Sequence, residues 1–305
     1  MSRFVQQERF GGPEQLEVVE RDEPHPGPGQ VRVRVAAAGL NPVDWKVGQH
    51  EQVAQAFGVT LPAGFGHDLA GTIDELGEGV LDWSVGDRVF GGRRGAAVAD
   101  HVVVEASALT RTPDGLDDEV AAALPIAART ADAAVGAVAP RPGETVLIGG
   151  AAGGVGVLAT QLAVASGARV VATASASNHE FLRELGAEPV AYGDGLVERL
   201  RAIAPEGVDA AIDLHGTSTI DAALELGVDP GRISAIAAGP DVPAGVISTG
   251  GGGASEGALG RIAAALADGS MVLPIERSFP IERVREAVEL QRGGHVRGKL
   301  VISMR

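Results

Sequence analysis

A glycine-rich stretch between an apolar run and an amphipathic run is the part of this sequence best suited to bind a phosphate. Residues 145–148 are apolar and partly β-branched, and Leu158 and Leu162 follow the glycines at helical spacing. A helix N-terminus has free N–H groups and a partial positive charge, and glycine lets the backbone approach an anion closely. We therefore predict a strand, a turn and a helix that bind a diphosphate. The residues expected to contact it are Gly153, Gly154, Val155 and Gly156.

The spacing of this turn is Ala151-x-Gly153-x-x-Gly156, so alanine replaces the first glycine of the dinucleotide-binding pattern. Alone, this is a weak signal, and a glycine turn with a purely structural role is the alternative. The context favours the nucleotide, because the apolar run 168–173 follows as a second strand. Together the three elements form a strand–helix–strand unit of about 30 residues.

Composition limits what else the protein does. The chain has 305 residues, a formal net charge of −15 and a sequence pI near 4.9, which suggests two domains and argues against nucleic acid or an anionic membrane as partner. It contains no cysteine, which excludes disulfides and every cysteine-ligated metal site. With no signal-peptide core and no apolar run of about 20 residues, a cytoplasmic location is expected.

The order of the elements predicts an α/β protein in two parts. Short alternating runs up to about residue 112 predict strands, and no helical period is evident before residue 118. From residue 117 onward, strands and helices alternate, which predicts a doubly wound parallel sheet. After a helix at 257–267, Pro274 and Pro280 predict irregular, β-like chain that rejoins the first domain. The glycine tract 250–253 is either a mobile surface loop or a flap over the cofactor.

Several ordered motifs resemble one family: the zinc-free quinone oxidoreductase branch of the medium-chain dehydrogenase/reductase superfamily. They are Phe10–Leu16, Ala38–Lys46, Gly66–Gly71, Val85–Val89, Ala151–Gly156 and Arg297–Lys299. The resemblance implies a GroES-like β-rich catalytic domain over residues 1–116, a Rossmann NADP-binding domain over 117–268, and a return to the catalytic domain over 269–305. It also implies NAD(P)H-dependent reduction of a quinone or another conjugated carbonyl compound, by a homodimer.

The related zinc enzymes raise the question of a metal. Gly66-His67-Asp68 is similar to one of their ligand motifs, but Asn41 stands where their first ligand cysteine is found. A site made of Asp44, His67 and Asp68 has no supporting spacing, so we predict no metal. Without a Lewis acid, conjugated acceptors become the favoured substrates. His67 then either lies in the substrate cleft or bonds to backbone near the domain junction.

The end of the second parallel strand decides between the two nicotinamide cofactors. An NAD site usually places an acid about 20 residues after the glycines, and no acid occurs here before Glu180. Hydroxyl and amide groups in this segment favour the 2′-phosphate of NADPH, although a serine-rich helix cap without a ligand is the alternative. The residues expected near this end of NADP(H) are Thr173, Ser175, Asn178 and His179. The resemblance adds Tyr192.

The remaining site residues follow from strand ends and from the resemblance. His215, Ile236 and Ala237 come after later parallel strands, where we expect the ribose or nicotinamide. The resemblance places Gly298 and Lys299 near the cofactor, with a solvated lysine as the alternative. We expect Asn41 either to orient the substrate carbonyl or to fix the environment of the nicotinamide ring. We expect Asp44 to order nearby polar groups and Thr130 to lie near the carboxamide.

No obvious proton donor is evident, so water is expected to protonate the product. Two other functions stay open: an enoyl reductase acting on a polyketide or acyl intermediate, and an NADPH-binding protein without catalysis.

Overall fold

A computed structural model describes residues 1–239 and 242–305. Its internal contacts divide the chain into two compact units. Unit 1 contains residues 1–126, 259–270 and 274–305, and unit 2 contains residues 127–258 and 271–273. The predicted domain boundaries at 116/117 and 268/269 stay predictions.

Unit 1 is built mainly from antiparallel strands. Its elements are β1 (Ser2–Gln7), β2 (Leu16–Arg21), β3 (Gln30–Leu40), α1 (Pro42–Gln49), α2 (Glu51–Ala56), β4 (Ala63–Gly64), β5 (Asp68–Leu76), β6 (Arg88–Gly92), β7 (His101–Glu105), β8 (Leu109–Arg111), α3 (Asp118–Ala122), α9 (Ala258–Ala267, whose first residue belongs to unit 2), β15 (Ile275–Pro280), α10 (Val284–Arg292) and β16 (Lys299–Ser303). A three-stranded sheet has the order β2-β1-β4. A seven-stranded sheet has the order β15-β16-β3-β5-β6-β8, with β7 also paired to β3.

Strand β3 organises unit 1 because it pairs with three other strands. Its first half pairs with β7 and its last four residues pair antiparallel with β16, while β5 runs along most of its length. Val31, Val33 and Val35 alternate into the apolar core, as the period of two predicts. The polar residues of the site follow directly where β3 ends at Leu40.

Unit 2 is a parallel sheet with helices between the strands. Its elements are α4 (Leu124–Val138, which begins in unit 1), β9 (Thr145–Gly149), α5 (Gly154–Ala165), β10 (Arg169–Thr173), α6 (His179–Glu184), β11 (Glu188–Val190), α7 (Leu196–Ile203), β12 (Ala210–Asp213), α8 (Ser218–Glu225), β13 (Ile233–Ala235) and β14 (Ile247–Ser248). The strand order is β11-β10-β9-β12-β13-β14, and every pairing is parallel. The order reverses direction between β9 and β12, which is the pattern of a doubly wound sheet and confirms that prediction.

Two expectations about helices are wrong. Helices α1 and α2 lie before residue 118, and α10 lies in the segment expected to be irregular. Helix α1 is short, but Pro42 at its first position and the Asp44 carboxylate accepting from the Asn41 N–H are recognisable start signals. Helix α10 buries Val284, Ala287 and Val288, which have the i, i+3, i+4 spacing of an amphipathic helix.

None of the helices in the described part of the chain is both long and apolar enough to cross a lipid bilayer.

Candidate active site

The glycine turn lies where the parallel sheet of unit 2 reverses its order. Strand β9 ends at Gly149, Gly150 takes a left-handed conformation (φ +70°), and helix α5 starts after Gly153. The left-handed turn is made at Gly150, so Ala151, which replaces the first glycine of the pattern, does not need that conformation. The first turn of α5 directs its N–H groups out of the helix end, because they have no acceptor within the helix.

Close packing explains a second glycine of this turn. A Cβ at Gly156 would lie 2.2 Å from the Gly150 carbonyl oxygen, so a side chain there would force the strand and helix apart. Gly153 is different. A Cβ at Gly153 would approach nothing closer than 3.5 Å, and its φ of −76° is open to any residue. Gly153 is therefore not required for folding, and its missing side chain leaves space in front of the helix end.

The end of β10 carries hydroxyl and amide groups without an acid. The Asn178 amide donates to Ser175 Oγ over 3.0 Å, and Ser175 Oγ also lies 3.0 Å from Ser177 Oγ. The His179 ring contacts the carbonyl of Ala174, and Thr173 is buried with its carbonyl accepting from the Ala151 N–H. Among the described residues, neither Ser175 nor Asn178 makes a side-chain cap to the helices that follow, which speaks against the capping alternative.

Tyr192 lies in a loop after β11 that one arginine holds in place. The Arg199 guanidinium, from helix α7, donates to four backbone carbonyls, those of residues 191–194. The tyrosine ring is 49% exposed. Sequence reasoning missed Arg199, because nothing in a helical arginine indicates that it bonds back to the preceding loop.

The end of β12 lies beside the glycine turn. Asp213 is buried and its carboxylate accepts from the N–H groups of His215, Gly216, Thr219 and Ile220, so its role is to shape the strand-to-helix turn. A Cβ at Gly150 would lie 3.1 Å from His215 Cβ, so the exposed His215 lies directly against the glycine turn. Ile236 is half-buried and Ala237 is exposed at the end of the next strand, β13.

Thr130 lies on helix α4 within unit 2 and is buried. The glycine tract packs on the same turn of this helix, since a Cβ at Gly251 would lie 3.4 Å from Arg129 Cβ and 3.6 Å from Thr130 Oγ1. Residues 251–253 form a single helical turn there. The tract therefore packs against the predicted carboxamide contact, and its role as a flap stays a prediction.

A buried polar cluster lies in unit 1. We use the term polar cluster for Asn41, Asp44, His67, Asp68 and Lys299. The Asn41 amide donates to Asp68 Oδ2 over 2.9 Å, and its carbonyl oxygen accepts from Lys299 Nζ over 2.5 Å. Lys299 Nζ also donates to the Leu40 carbonyl over 2.9 Å. Asn41 thus joins a buried cation to a buried anion.

Burial and charge set the ionisation within the polar cluster. Burial raises the pKa of Asp68 to about 6, against the opposing effect of the Lys299 ammonium. Burial lowers the pKa of Lys299, and the carboxylates of Asp68 and Asp44 oppose that change. Because Lys299 is buried, the alternative of a solvated lysine is wrong. Its proximity to a cofactor stays a prediction.

Asp44 and His67 form a hydrogen-bonded pair at the edge of the polar cluster. His67 Nδ1 bonds to Asp44 Oδ1, while Asp44 Oδ2 accepts from the Asn41 N–H. The Asp44 side chain is 0% exposed and that of His67 is 16% exposed. His67 therefore bonds to a carboxylate rather than to backbone, and only its outer edge reaches solvent.

A cavity of about 270 Å³ opens beside this pair, within unit 1. Its wall includes Asp44, His67, Arg94 and apolar groups such as Val59 and Phe65. Ligand sites are typically apolar concave spaces of about 300–1,000 Å³ with a few polar groups. This cavity lies just below that range, so its volume restricts it to a small molecule. Its wall includes His67, for which the sequence left two alternatives, a place in the substrate cleft or a hydrogen bond to backbone.

Gly298 has a structural reason to be glycine. Its φ is +68°, and a Cβ there would lie 2.1 Å from the Pro274 carbonyl oxygen. This close approach places Lys299 at the start of β16, where its side chain enters the polar cluster. The predicted contact of Gly298 with a cofactor stays a prediction.

The donor groups of unit 1 do not suit a zinc ion. The carboxylates of Asp44 and Asp68 already accept hydrogen bonds from within the polar cluster, and the Lys299 ammonium lies in the same cluster. Among residues 1–239 and 242–305, no group of three or more His, Asp or Glu side chains is arranged to hold a metal, and the chain has no cysteine.

The two units, each taken by itself, define a class of protein: one is a nucleotide-binding doubly wound sheet, and the other is a β-rich unit that carries a polar cavity. Comparison with known proteins agrees with that class. Residues 27–114 match the alcohol dehydrogenase GroES-like domain, and residues 154–249 match the zinc-binding dehydrogenase domain.

Known relatives specify the family. The chain is 31% identical over 290 residues to the chloroplastic NADPH-dependent alkenal/one oxidoreductase of Arabidopsis thaliana, covering 90% of this chain and 72% of that protein. The quinone oxidoreductase structure from Coxiella burnetii superposes with a TM-score of 0.89 and 31% identity, over 100% of this chain and 99% of that one. The chain therefore belongs to the medium-chain dehydrogenase/reductase superfamily, as a quinone oxidoreductase-like member with its NAD(P)H-binding domain.

One group of relatives is longer. The chain is 37% identical over 217 residues to the synaptic vesicle membrane protein VAT-1 homolog of Rattus norvegicus. The match covers 68% of this chain and 52% of the rat protein, so the chain spans about half the length of that relative.

Proposed function

We propose that this protein is a zinc-independent NADPH-dependent reductase that transfers hydride to a small quinone or enone. The observation that carries the proposal is the glycine turn at the sheet reversal followed by an acid-free end of β10. A carboxylate at that strand end would repel a 2′-phosphate, whereas the hydroxyl of Ser175 is able to donate to one. The relatives named above, an alkenal/one oxidoreductase and a quinone oxidoreductase, support the class of acceptor.

The residues of unit 2 fit the nucleotide. The first turn of α5, from Gly154 to Gly156, presents N–H groups for the diphosphate, and Gly153 leaves the space in front of it. Thr173, Ser175, Asn178 and His179 supply polar groups for the adenosine end, with Tyr192 on the neighbouring loop. His215, Ile236, Ala237 and Thr130 are left for the ribose and the nicotinamide. When bound, NADPH supplies the hydride.

The residues of unit 1 fit a small conjugated acceptor. The cavity beside His67 is partly apolar and has a cationic side chain, Arg94, in its wall. Asn41 is bonded at both ends of its amide, so we assign it the task of fixing Asp68 and Lys299 rather than contacting the acceptor directly. Conjugated acceptors need less polarisation of the carbonyl group than simple ketones do. A cavity with the Arg94 guanidinium in place of a metal ion is compatible with such acceptors.

The test is a panel of cofactor-oxidation assays with metal-free protein. We expect turnover of NADPH with a simple quinone or an enone, slower turnover of NADH, and no gain on adding zinc. Turnover confined to an alcohol with added zinc would overturn the proposal. Turnover confined to enoyl thioesters would indicate an enoyl reductase, and tight NADPH binding without oxidation by any acceptor would indicate a binding protein.

A further inference from the structure

His67 is the one titratable ring in the wall of the unit 1 cavity, and its environment fixes which atom faces the open space. Nδ1 bonds to Asp44, whose side chain is fully enclosed. Because this enclosed carboxylate covers Nδ1, we assign the 16% exposure of the His67 side chain to the opposite edge of the ring, which carries Nε2. No hydrogen bond to Nε2 is found within the described ranges, 1–239 and 242–305.

Asp44 itself is held, so the orientation of the ring is fixed as well. Its second oxygen accepts from the Asn41 N–H over 2.8 Å at the start of helix α1. The Asp44 carboxylate accepts from Nδ1–H, so Nε2 carries a proton that it can donate when the ring is in the imidazolium form. The other charged groups nearby are Asp68 and Lys299 in the polar cluster, and Arg94 in the cavity wall.

We propose that His67 is the acid that protonates the acceptor, with Asp44 as its positioning residue. This inference rests on the proposed function. Hydride transfer to the β-carbon of an enone leaves the electron pair on the oxygen of an enolate. The His67 Nε2–H bond breaks, its proton binds that oxygen, and the neutral ring regains a proton from water through the cavity. The acceptor gains one hydride and one proton in the enzyme, which together are two electrons and two protons, and the resulting enol tautomerises to the saturated ketone. For a quinone, the same proton completes the hydroquinone.

The chemical class of ligand follows from this pairing. A small, planar, partly apolar molecule with one oxygen that becomes negative would place that oxygen at Nε2. A phenol that ionises near neutral pH, such as 4-nitrophenol, imitates such an enolate, and its anion is coloured. Its binding is measurable without NADPH and without turnover.

The experiment uses the full chain with 4-nitrophenol as the probe. We expect the wild-type protein to bind the phenolate in preference to the phenol, so that the apparent pKa of the bound probe falls, as read from its absorbance. His67→Gln keeps an N–H for Asp44 but carries no charge, and it should lose this effect and bind the phenolate at least about tenfold more weakly.

A matched control is available in the same unit. His101 is also partnered by a carboxylate, Asp74, and is 15% exposed, but it does not line the cavity. His101→Gln should keep the phenolate preference. If His67→Gln keeps the preference and Arg94→Met loses it, Arg94 is the partner of the anion and the proposal is overturned.

Turnover gives an independent readout. With an enone and NADPH, His67→Gln should lower kcat by about 10²–10⁴-fold with a small change in KM, the range typical of losing a positioned general acid. Unchanged kcat in His67→Gln would also overturn the proposal. If wild-type protein reduces no conjugated acceptor, the proposed function fails, while the phenolate measurement still reports on the histidine.

Discussion

Lys299 and Asp68 show how one amide organises two opposite buried charges. Each charged group alone would be costly to bury, because it would lose its hydration. Asn41 lies between them and bonds to both. Asn41 is also the residue where helix α1 begins, so the charges, the helix start and the end of β3 are fixed together.

The raised pKa of Asp68 predicts how the stability of the protein changes with pH. Between its ordinary value of 3.8 and about 6, the native protein holds this proton more tightly than the unfolded chain. The contribution of Asp68 to the free energy of unfolding therefore falls as pH rises through that interval, by about 3 kcal/mol at most. Asp68→Asn cannot titrate but keeps an oxygen for the N–H groups of Asn41 and Ile126. As pH rises over this interval, we expect the unfolding free energy of Asp68→Asn to increase relative to that of the wild type. Denaturant unfolding at a series of pH values measures both.

The difference between the two curves is the quantity to follow, because the other acids of this acidic chain titrate in both proteins. Asp114→Asn, at an exposed position, serves as the control and should give a curve parallel to that of the wild type. If the curve for Asp68→Asn is also parallel to that of the wild type, the pKa of Asp68 is not raised in the native protein.

At the scale of elements, the turn before α5 separates the requirement for folding from the requirement for binding. Gly153 is sterically open, and Asp is a good helix N-cap residue. We expect Gly153→Asp to keep or raise the thermal stability of the free protein. The new carboxylate would occupy the position of the diphosphate and repel its negative charge, so the stabilisation by NADPH should vanish. In the wild type that stabilisation is about 2.7 kcal/mol at 100 times Kd.

Gly153→Ala is the matched control, because it adds bulk without charge and should lose less affinity. Thermal shift with and without NADPH measures both variants. NADPH stabilisation of Gly153→Asp equal to that of the wild type would place the diphosphate elsewhere.

At Gly298, the residue before β16, we expect a substitution to destabilise the protein, unlike the substitutions at Gly153. Gly298→Ala puts a side chain into a left-handed conformation, which costs about 1–3 kcal/mol, and adds a clash with the Pro274 carbonyl. Gly79 has a similar φ of +80°, and a Cβ there would have nothing within 4 Å, so Gly79→Ala isolates the cost of the conformation. Chemical unfolding should show a clearly larger loss for Gly298→Ala. Equal losses would mean that the chain relaxes at Pro274 without cost.

The sequence predicts these elements unevenly, for physical reasons. The parallel sheet was predictable because each strand is a short apolar run between glycine turns and helices. Helix α1 had a signal at its start and α10 had apolar residues at helical spacing. However, α1 is short and polar, and the prolines at 274 and 280 obscured α10. The polar cluster was not predictable from spacing, since the Asn41–Asp68 and Asn41–Lys299 hydrogen bonds join residues 27 and 258 positions apart. The Asp44–His67 pair likewise depends on how α1 and β5 meet.

At the scale of the whole molecule, the edge of the parallel sheet bears on assembly. Strand β14 is the last in the sheet order and, within the described residues, has no strand on its outer side. Open edges favour pairing with another chain. The resemblance described under Sequence analysis also implies a homodimer. We therefore expect a particle of twice the chain mass of 30.9 kDa, measured by light scattering coupled to size exclusion. A mass of one chain over a range of protein concentrations would contradict the prediction.

The pairing of β3 with β16 has a consequence for how the protein is made. Strand β3 leaves the ribosome early, yet the residues that complete its sheet and its polar cluster, Lys299–Ser303, are synthesised more than 250 positions later. Residues 127–258 supply every strand of the parallel sheet and emerge long before that. During translation the nucleotide-binding unit is therefore able to fold first. The β-rich unit at that stage lacks strand β16 of its sheet and the Lys299 ammonium that accompanies the Asp68 carboxylate.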